Sequence, residues 1–221
     1  MTHLTVRNLH IEYPDQRVFD DVDLDVDENE ILAIETHVLD GGSSLLKALG
    51  GMMTGINGSV LLDDVDLLDD PPSEELFRIG FVYEEMGLLS HYDVYCNICL
   101  PLQFHTELNP LEIYERVDSI CKLLNIDESL MRLRPYHLND VQTRMINLAR
   151  ALVVNPKLLL IDELEGGMSD DILRATMLTL RQRQQEAPMA IVITTSSELV
   201  LSLADRVLSI ADFGLVERVP A

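Results

Sequence analysis

The chain has 221 residues, 47% of them hydrophobic, enough to bury one substantial core. Its formal net charge of −22, from 38 Asp and Glu against 16 Lys and Arg, argues against nucleic-acid phosphates and anionic membrane surfaces as partners, because both would be repelled. An odd set of three cysteines (Cys96, Cys99, Cys121) points away from a disulfide framework and toward a reducing cytoplasm, no signal-peptide pattern opens the chain, and no apolar run reaches the roughly 20 residues of a helical membrane span.

Residues 4–27 alternate apolar and polar side chains in two runs separated by Pro14-Asp15-Gln16, the period of antiparallel strands with one wet face. Asp21, Asp23, Asp25 and Asp27 then fall on the solvent side. Tyr13 is either a half-buried strand tyrosine or a ring on which a purine base could stack.

Residues 31–51, ILAIETHVLDGGSSLLKALGG, read as a buried strand, a loop and an apolar-striped helix. Thr36-His37-Val38-Leu39-Asp40-Gly41-Gly42-Ser43 keeps the spacing of a phosphate-binding loop, G-x-x-x-x-G-K-[ST], whose backbone N–H groups and helix N-terminus cradle phosphates while the Lys neutralises them. Thr36 stands where the first Gly belongs and Gly42 where the Lys belongs, and Asp40 adds a negative charge. Gly41, Ser43 and Ser44 fit the role. The competing reading is an ordinary strand–turn–helix.

Asn57-Gly58 reads as a turn before a strand pair in SVLLDDVDL, and residues 77–84 as a strand ending in acids. From 86 to about 138 the pattern becomes helical, with breaks expected at Pro101, Pro110 and Pro135, which predicts a helical lobe inserted at 85–138 between core segments 1–84 and 139–221. Cys96-Asn97-Ile98-Cys99 is a lone CxxC without a second ligand pair, better read as small apolar side chains on one helical face than as a metal site. An amphipathic helix at 139–152, the apolar run LLLI ending in Asp162-Glu163, a helix at 171–185 and the strand AIVITTSS complete the pattern of a parallel α/β core.

On the pieces Leu148-Ala149-Arg150-Ala151-Leu152, LLLIDE at 158–163 and Ala204-Asp205-Arg206-Val207, the whole chain resembles an ABC-transporter ATPase domain. Leu49-Gly50-Gly51 and residues 82–102 look most like the ATPases of Mce-associated lipid transporters. The resemblance implies a parallel-sheet core with an antiparallel β subdomain and a helical lobe. It implies Mg²⁺-binding roles for Ser43 and Asp162 and a general-base role for Glu163. Glu84 stands at the position of the Q-loop Gln and Ser196 at that of the switch His. The signature LSGGQ is replaced by Leu138-Asn139-Asp140-Val141-Gln142, so Asp140 and Val141 take the places of two glycines. Leu164, Glu165 and Ser169 replace the usual Pro, Thr and Asp.

In the family each ATP is sandwiched between the P-loop of one subunit and the signature of the other, and both halves depart here. The reading is therefore a catalytically degenerate subunit, homo- or heterodimeric, without a resident cofactor. It is held at the cytoplasmic face of a membrane by a permease of lipid-transport type, with no direct membrane insertion. The alternatives are an ATPase with rewired ligands, which would use Mg-ATP, and a free-standing adaptor. Lys47 lies more than one turn along the helix and should point away from the loop. Because Ser43 and the spacing remain, Gly42→Lys with Asp40→Ser is expected to restore some nucleotide binding. Residues 86–102 carry few charges, and Leu88, Leu89, Tyr92 and Tyr95 are the candidates for docking the permease, alongside Met86, Val94, Ile98 and Leu100.

Overall fold

The N-terminal alternation pairs as read. In the computed structural model, which describes residues 3–37, 39–84 and 87–218, β1 (His3–Tyr13) and β2 (Gln16–Asp27) form an antiparallel ladder. Val18, Phe19, Val22, Leu24 and Val26 turn inward, while Asp21, Asp23 and Asp27 are exposed and Asp25 is half-buried. The chain then enters β3 (Ile31–Glu35), a loop, and α1 (Gly42–Leu49). β4 (Asn57–Leu62) and the short β5 (Val65–Asp66) return to the first sheet, whose order is β2-β1-β4-β5. Asn57-Gly58 does not close a turn. It opens β4, because Asn57 pairs with His10 and so continues the ladder with β1.

After α2 (Ser73–Leu76) and β6 (Ile79–Val82) come the lobe helices α3 (Val94–His105) and α4 (Pro110–Leu123), followed by single 3-10 turns at Glu128–Leu130 and Pro135–His137. Pro101 does not break the pattern but lies inside α3. A proline there costs about 3 kcal/mol, and the burial of Val94, Ile98 and Leu102, spaced at i, i+4 and i+8, outweighs it. Pro110 occupies the first turn of α4 behind Asn109, which forms a capping box with Glu112.

The remaining elements are α5 (Asp140–Leu152), β7 (Leu158–Asp162), α6 (Asp170–Glu186, one residue longer at each end than read), β8 (Ala190–Thr195), α7 (Glu198–Leu203), β9 (Arg206–Ala211) and β10 (Gly214–Glu217). The second sheet has the order β10-β9-β3-β8-β7-β6, parallel throughout except for the final hairpin. Its strands read as continuous apolar runs because they serve two cores. Ile31, Ala33, Leu159, Ile161, Ile191 and Ile193 pack against the helices on one face. Leu32, Ile34, Leu158, Leu160 and Val192 pack against α1 and the first sheet on the other.

All three cysteines are free, with Cys99 and Cys121 buried, and that burial pushes both thiols up to about 11. Among the described residues no cluster of His, Cys, Asp and Glu is placed to hold a metal ion, and no helix is long and apolar enough to cross a membrane.

Candidate functional site

The carboxyl ends of β3, β7 and β8 come together at one edge of the parallel sheet, where α/β proteins of this architecture bind ligands. The loop between β3 and α1 closes over them and leaves a cavity of about 480 Å³. Tyr13, Gly41, Gly42, Ser43, Ser44, Glu84, Asp162 and Glu163 all line it, so eight residues singled out from the sequence do converge. Lys47 does not reach it: the side chain is exposed in the last turn of α1. Val38, within the loop, lies outside the described residues.

The loop is built against itself. Gly41 caps α1 in the left-handed region at φ +96°, where any side chain would also run into Val18 Cγ1. Gly42 is held by a different constraint: a Cβ there would meet Thr36 Cγ2 at 2.6 Å, and Thr36 is 3% exposed. Thr36 and Gly42, the two departures from the motif, are therefore one steric unit. The Asp40 carboxylate turns back into the loop and accepts hydrogen bonds from the backbone N–H of His37 and of Gly42, the second at 3.2 Å. It occupies donors that a phosphate-binding loop offers to its ligand. Ser44 is engaged too, its hydroxyl 3.1 Å from that of Tyr13, which stands 43% exposed at the mouth.

The charge is inverted as well. Asp40, Glu84, Asp162 and Glu163 line the cavity, and neither Lys nor Arg does. A carboxylate held about 6 Å from a phosphate oxygen costs about 3 kcal/mol at an effective dielectric of about 20, roughly two decades of affinity.

Asp162 ends β7, buried, and accepts a 2.9 Å hydrogen bond from Thr194 Oγ1, its register partner on β8. Glu163 follows at φ +47°, and Arg144 of α5 pins the turn by donating to the carbonyls of Glu163 and Gly166. Burial raises the Glu163 carboxyl above its ordinary value of 4.5, helped by the charges of Glu84, Glu165 and Asp162 and opposed by Arg144. A carboxyl whose folded pKa is raised binds its proton more tightly in the fold, so stability is lost as pH rises from the ordinary value through the folded one. Glu163→Gln is expected to raise the Tm at about pH 7.5 and to leave it unchanged at about pH 4, where both states are protonated. Calorimetric melts at the two pH values read this directly, and a loss of stability at neutral pH would contradict it.

Asp140, Gln142 and Ser196 do not line this cavity. Asp140 and Gln142 lie at the start of α5, where Asn139 Oδ1 accepts from Gln142 N at 2.8 Å and Asn139 N donates to Gln142 Oε1 at 3.0 Å. This capping box satisfies the helix N-terminus with its own side chains. Ser196 is held by Glu165, which accepts from its backbone N–H at 2.8 Å and from Thr195 Oγ1 at 2.7 Å. Thr194, Glu165 and Arg144 carry structural roles at the site that motif spacing did not reveal. Thr194 stands beside Asp162 through the register of β7 and β8, one residue before β8 ends.

The docking candidates separate. Leu89 is 45% exposed and Tyr92 42%, but Leu88 and Tyr95 pack against the helical core and Val94 and Ile98 are fully buried, so the apolar patch is smaller than the sequence indicated. Met86 lies outside the described residues. The loop bearing Leu89 and Tyr92 is fastened by Asn97, fully buried in α3. Its Oδ1 accepts from Leu89 N at 2.7 Å, and its Nδ2 donates to the carbonyls of Leu89, Tyr92 and Asp93 at 3.1, 3.2 and 2.9 Å.

The fold is that of ATP-binding cassettes. A solved dimeric post-hydrolysis state of the cassette MJ0796 bound to ADP and Pi superimposes with a TM-score of 0.86, covering 96% of each chain at 21% identity. CbiO1 from Clostridium perfringens, part of the transporter complex cbiONQ, gives 0.81 over 96% of this chain and 86% of that one at 24% identity. The family profile described as ABC transporter matches residues 19–165, and the chain belongs to that family. It is 28% identical to the spermidine/putrescine import ATP-binding protein PotA of Marinobacter nauticus, over 98% of this chain and 57% of that protein. It is 30% identical to the sulfate/thiosulfate import ATP-binding protein CysA of Burkholderia mallei, over 98% of this chain and 62% of that protein. The chain thus spans about three fifths of the length of these relatives.

Proposed function

We propose that the chain is the cassette subunit of an import-type transporter in which the nucleotide site has become a structural element. The observation that carries this is the loop between β3 and α1: its own carboxylate, Asp40, sits on its backbone donors, inside a cavity that, among the described residues, has four carboxylates and neither Lys nor Arg. Mg-ATP added at low millimolar concentration is expected to give no binding heat, and micromolar affinity in that titration would refute the reading. Were nucleotide to bind, Ser43 and Asp162 would be the residues placed to share a Mg²⁺ ion.

The competing reading, an ATPase with rewired ligands, draws its support from Asp162 and Glu163, which stand in the cavity with a raised carboxyl on the second. Glu163→Gln separates the two readings in cells. Unchanged transport fits a site without a γ-phosphate to attack, and lost transport with normal assembly fits an enzyme.

The partners that this reading requires are a permease and a second cassette subunit, identical or not, with the chain held peripherally at the cytoplasmic face. The importers named above support permease pairing, and the MJ0796 dimers support the second subunit. The finer reading, lipid cargo, keeps only the likeness of 49–51 and 82–102 as support, whereas the relatives above are named for small solutes. Leu89 and Tyr92 are the exposed apolar pair offered to the permease. Because both side chains already face solvent, Leu89→Asp with Tyr92→Asp is expected to leave the circular dichroism spectrum unchanged and to abolish co-purification with the membrane partner. Retained co-purification would place the interface elsewhere.

A further inference from the structure

The cavity beneath the loop between β3 and α1 has the wrong charge for a phosphate, and three of its features suit the opposite charge. First, Glu84 and Glu163 reach it with carboxylates that have no hydrogen-bond or ion-pair partner among the described residues, whereas Asp40 and Asp162 are hydrogen-bonded. Second, Thr36 lines the same cavity, is only 3% exposed, and has an Oγ1 without any hydrogen-bond partner. Third, Val18 and the half-exposed ring of Tyr13 give the cavity an apolar side.

Buried hydroxyls are almost always hydrogen-bonded, so the Thr36 oxygen is a free acceptor that calls for an explanation. An ammonium group carries three N–H donors and no acceptor, which matches a free hydroxyl oxygen beside two unpaired carboxylates. Clefts walled by one sign of charge focus the field and gather counter-ions of the other sign. Burial, and next the charge of Glu84, raise the Glu163 carboxyl, the behaviour of an acid held without a cation. A bare metal ion suits the lining less well, because no three His, Cys, Asp or Glu among the described residues are placed to hold one. The volume of about 480 Å³ is that of a small-molecule site, and an aromatic face at its mouth adds a weak attraction for an organic cation.

We propose that this cavity binds a small organic cation, an ammonium group on an apolar body, with the ammonium held by Glu84, Glu163 and the Thr36 hydroxyl and the body against Val18 and Tyr13. The inference rests on the reading of the loop as one that no longer takes nucleotide, and extends it: the site has reversed the sign of the charge it accepts. It does not depend on the permease or on the Leu89–Tyr92 surface.

The test is calorimetric titration of the full chain with n-hexylamine at neutral pH, beside 1-hexanol, which has the same body without the charge, and hexanoate, which has the opposite charge. Saturable one-to-one binding of the amine alone is expected. Glu84→Gln with Glu163→Gln should weaken it at least about tenfold, as loss of a partly desolvated charge pair does. Asp69→Asn with Asp70→Asn removes the same charge from exposed positions that do not line the cavity, and should leave the affinity within about twofold. Thr36→Val removes the unpaired hydroxyl at nearly constant shape, so it should raise the Tm of the unliganded chain by roughly 2–4 °C while weakening the amine. Absence of amine binding overturns the proposal, as does equal binding of 1-hexanol, equal loss in the Asp69 and Asp70 variant, or a lower Tm for Thr36→Val. Mg-ATP titrated into the same sample keeps the two readings apart. If neither ligand binds, the cation proposal falls and the reading of the loop stands; if Mg-ATP binds with micromolar affinity, both fall.

Discussion

Thr36→Gly, Asp40→Ser and Gly42→Lys in one chain are expected to make the loop bind Mg-ATP at least tenfold more tightly than the wild type does, with calorimetry as the readout. Each change removes a distinct obstacle. Asp40→Ser frees the backbone N–H groups of His37 and Gly42. Gly42→Lys supplies the cation that the cavity lacks. Thr36→Gly removes the methyl group that would stand 2.6 Å from the new Cβ. Restoring the partner of a desolvated phosphate charge is worth about 2–5 kcal/mol, against which the carboxylates of Glu84, Asp162 and Glu163 remain.

The sequence spacing by itself recommends only the pair Asp40→Ser with Gly42→Lys. The structure predicts that this pair fails. Forcing a side chain against the stiff, buried Thr36 costs about 1–3 kcal/mol in overpacking, so the double variant should melt earlier than the wild type and gain little affinity. If it binds as well as the triple variant, Thr36 and Gly42 are not sterically coupled. If the triple variant does not bind, the loop has lost the cradle shape as well as its charges.

Asn97→Ala is expected to lower stability by about 3–4 kcal/mol, since it leaves the Leu89 N–H and the Tyr92 carbonyl without partners at about 1–3 kcal/mol for each group left truly unsatisfied, whereas the carbonyls of Leu89 and Asp93 keep the backbone N–H groups of Tyr92 and Asn97. For a chain of this size that corresponds to a fall in Tm of roughly 6–15 °C. The effect should be local first: amide hydrogen exchange at Leu89 and its neighbours should accelerate well beyond that of β7 or β8. A change below about 1 kcal/mol would mean that the loop is held by its apolar contacts and that Asn97 is replaceable. Asn97→Asp should be worse than Ala, because it turns a carboxylate toward the three carbonyls that now accept from Nδ2.

Much of this protein was legible in its residues because the physics involved is local. Alternation placed β1 and β2, continuous apolar runs placed β7 and β8, and helical patterning placed α5 and α6 to within a residue at each end. The charge of −22, the absence of a loop lysine and the presence of Asp40 follow from composition and spacing alone. Misreadings arose where a partner distant in sequence decided the outcome. Pro101 sits in a helix because α3 is packed on both sides of it, and Asn57-Gly58 is strand because β1 lies alongside. Leu88, Tyr95, Val94 and Ile98 look like Leu89 and Tyr92 in the sequence, and only packing separates core from surface.

The site divides the same way. Residue identity by itself determined that the loop has Gly42 where the motif has its lysine and that it carries a carboxylate, Asp40. That Asp40 folds back onto the loop's own donors and that a side chain at 42 would run into Thr36 were decided by tertiary structure. Each depends on distances between groups whose separation along the chain carries no information about their separation in space.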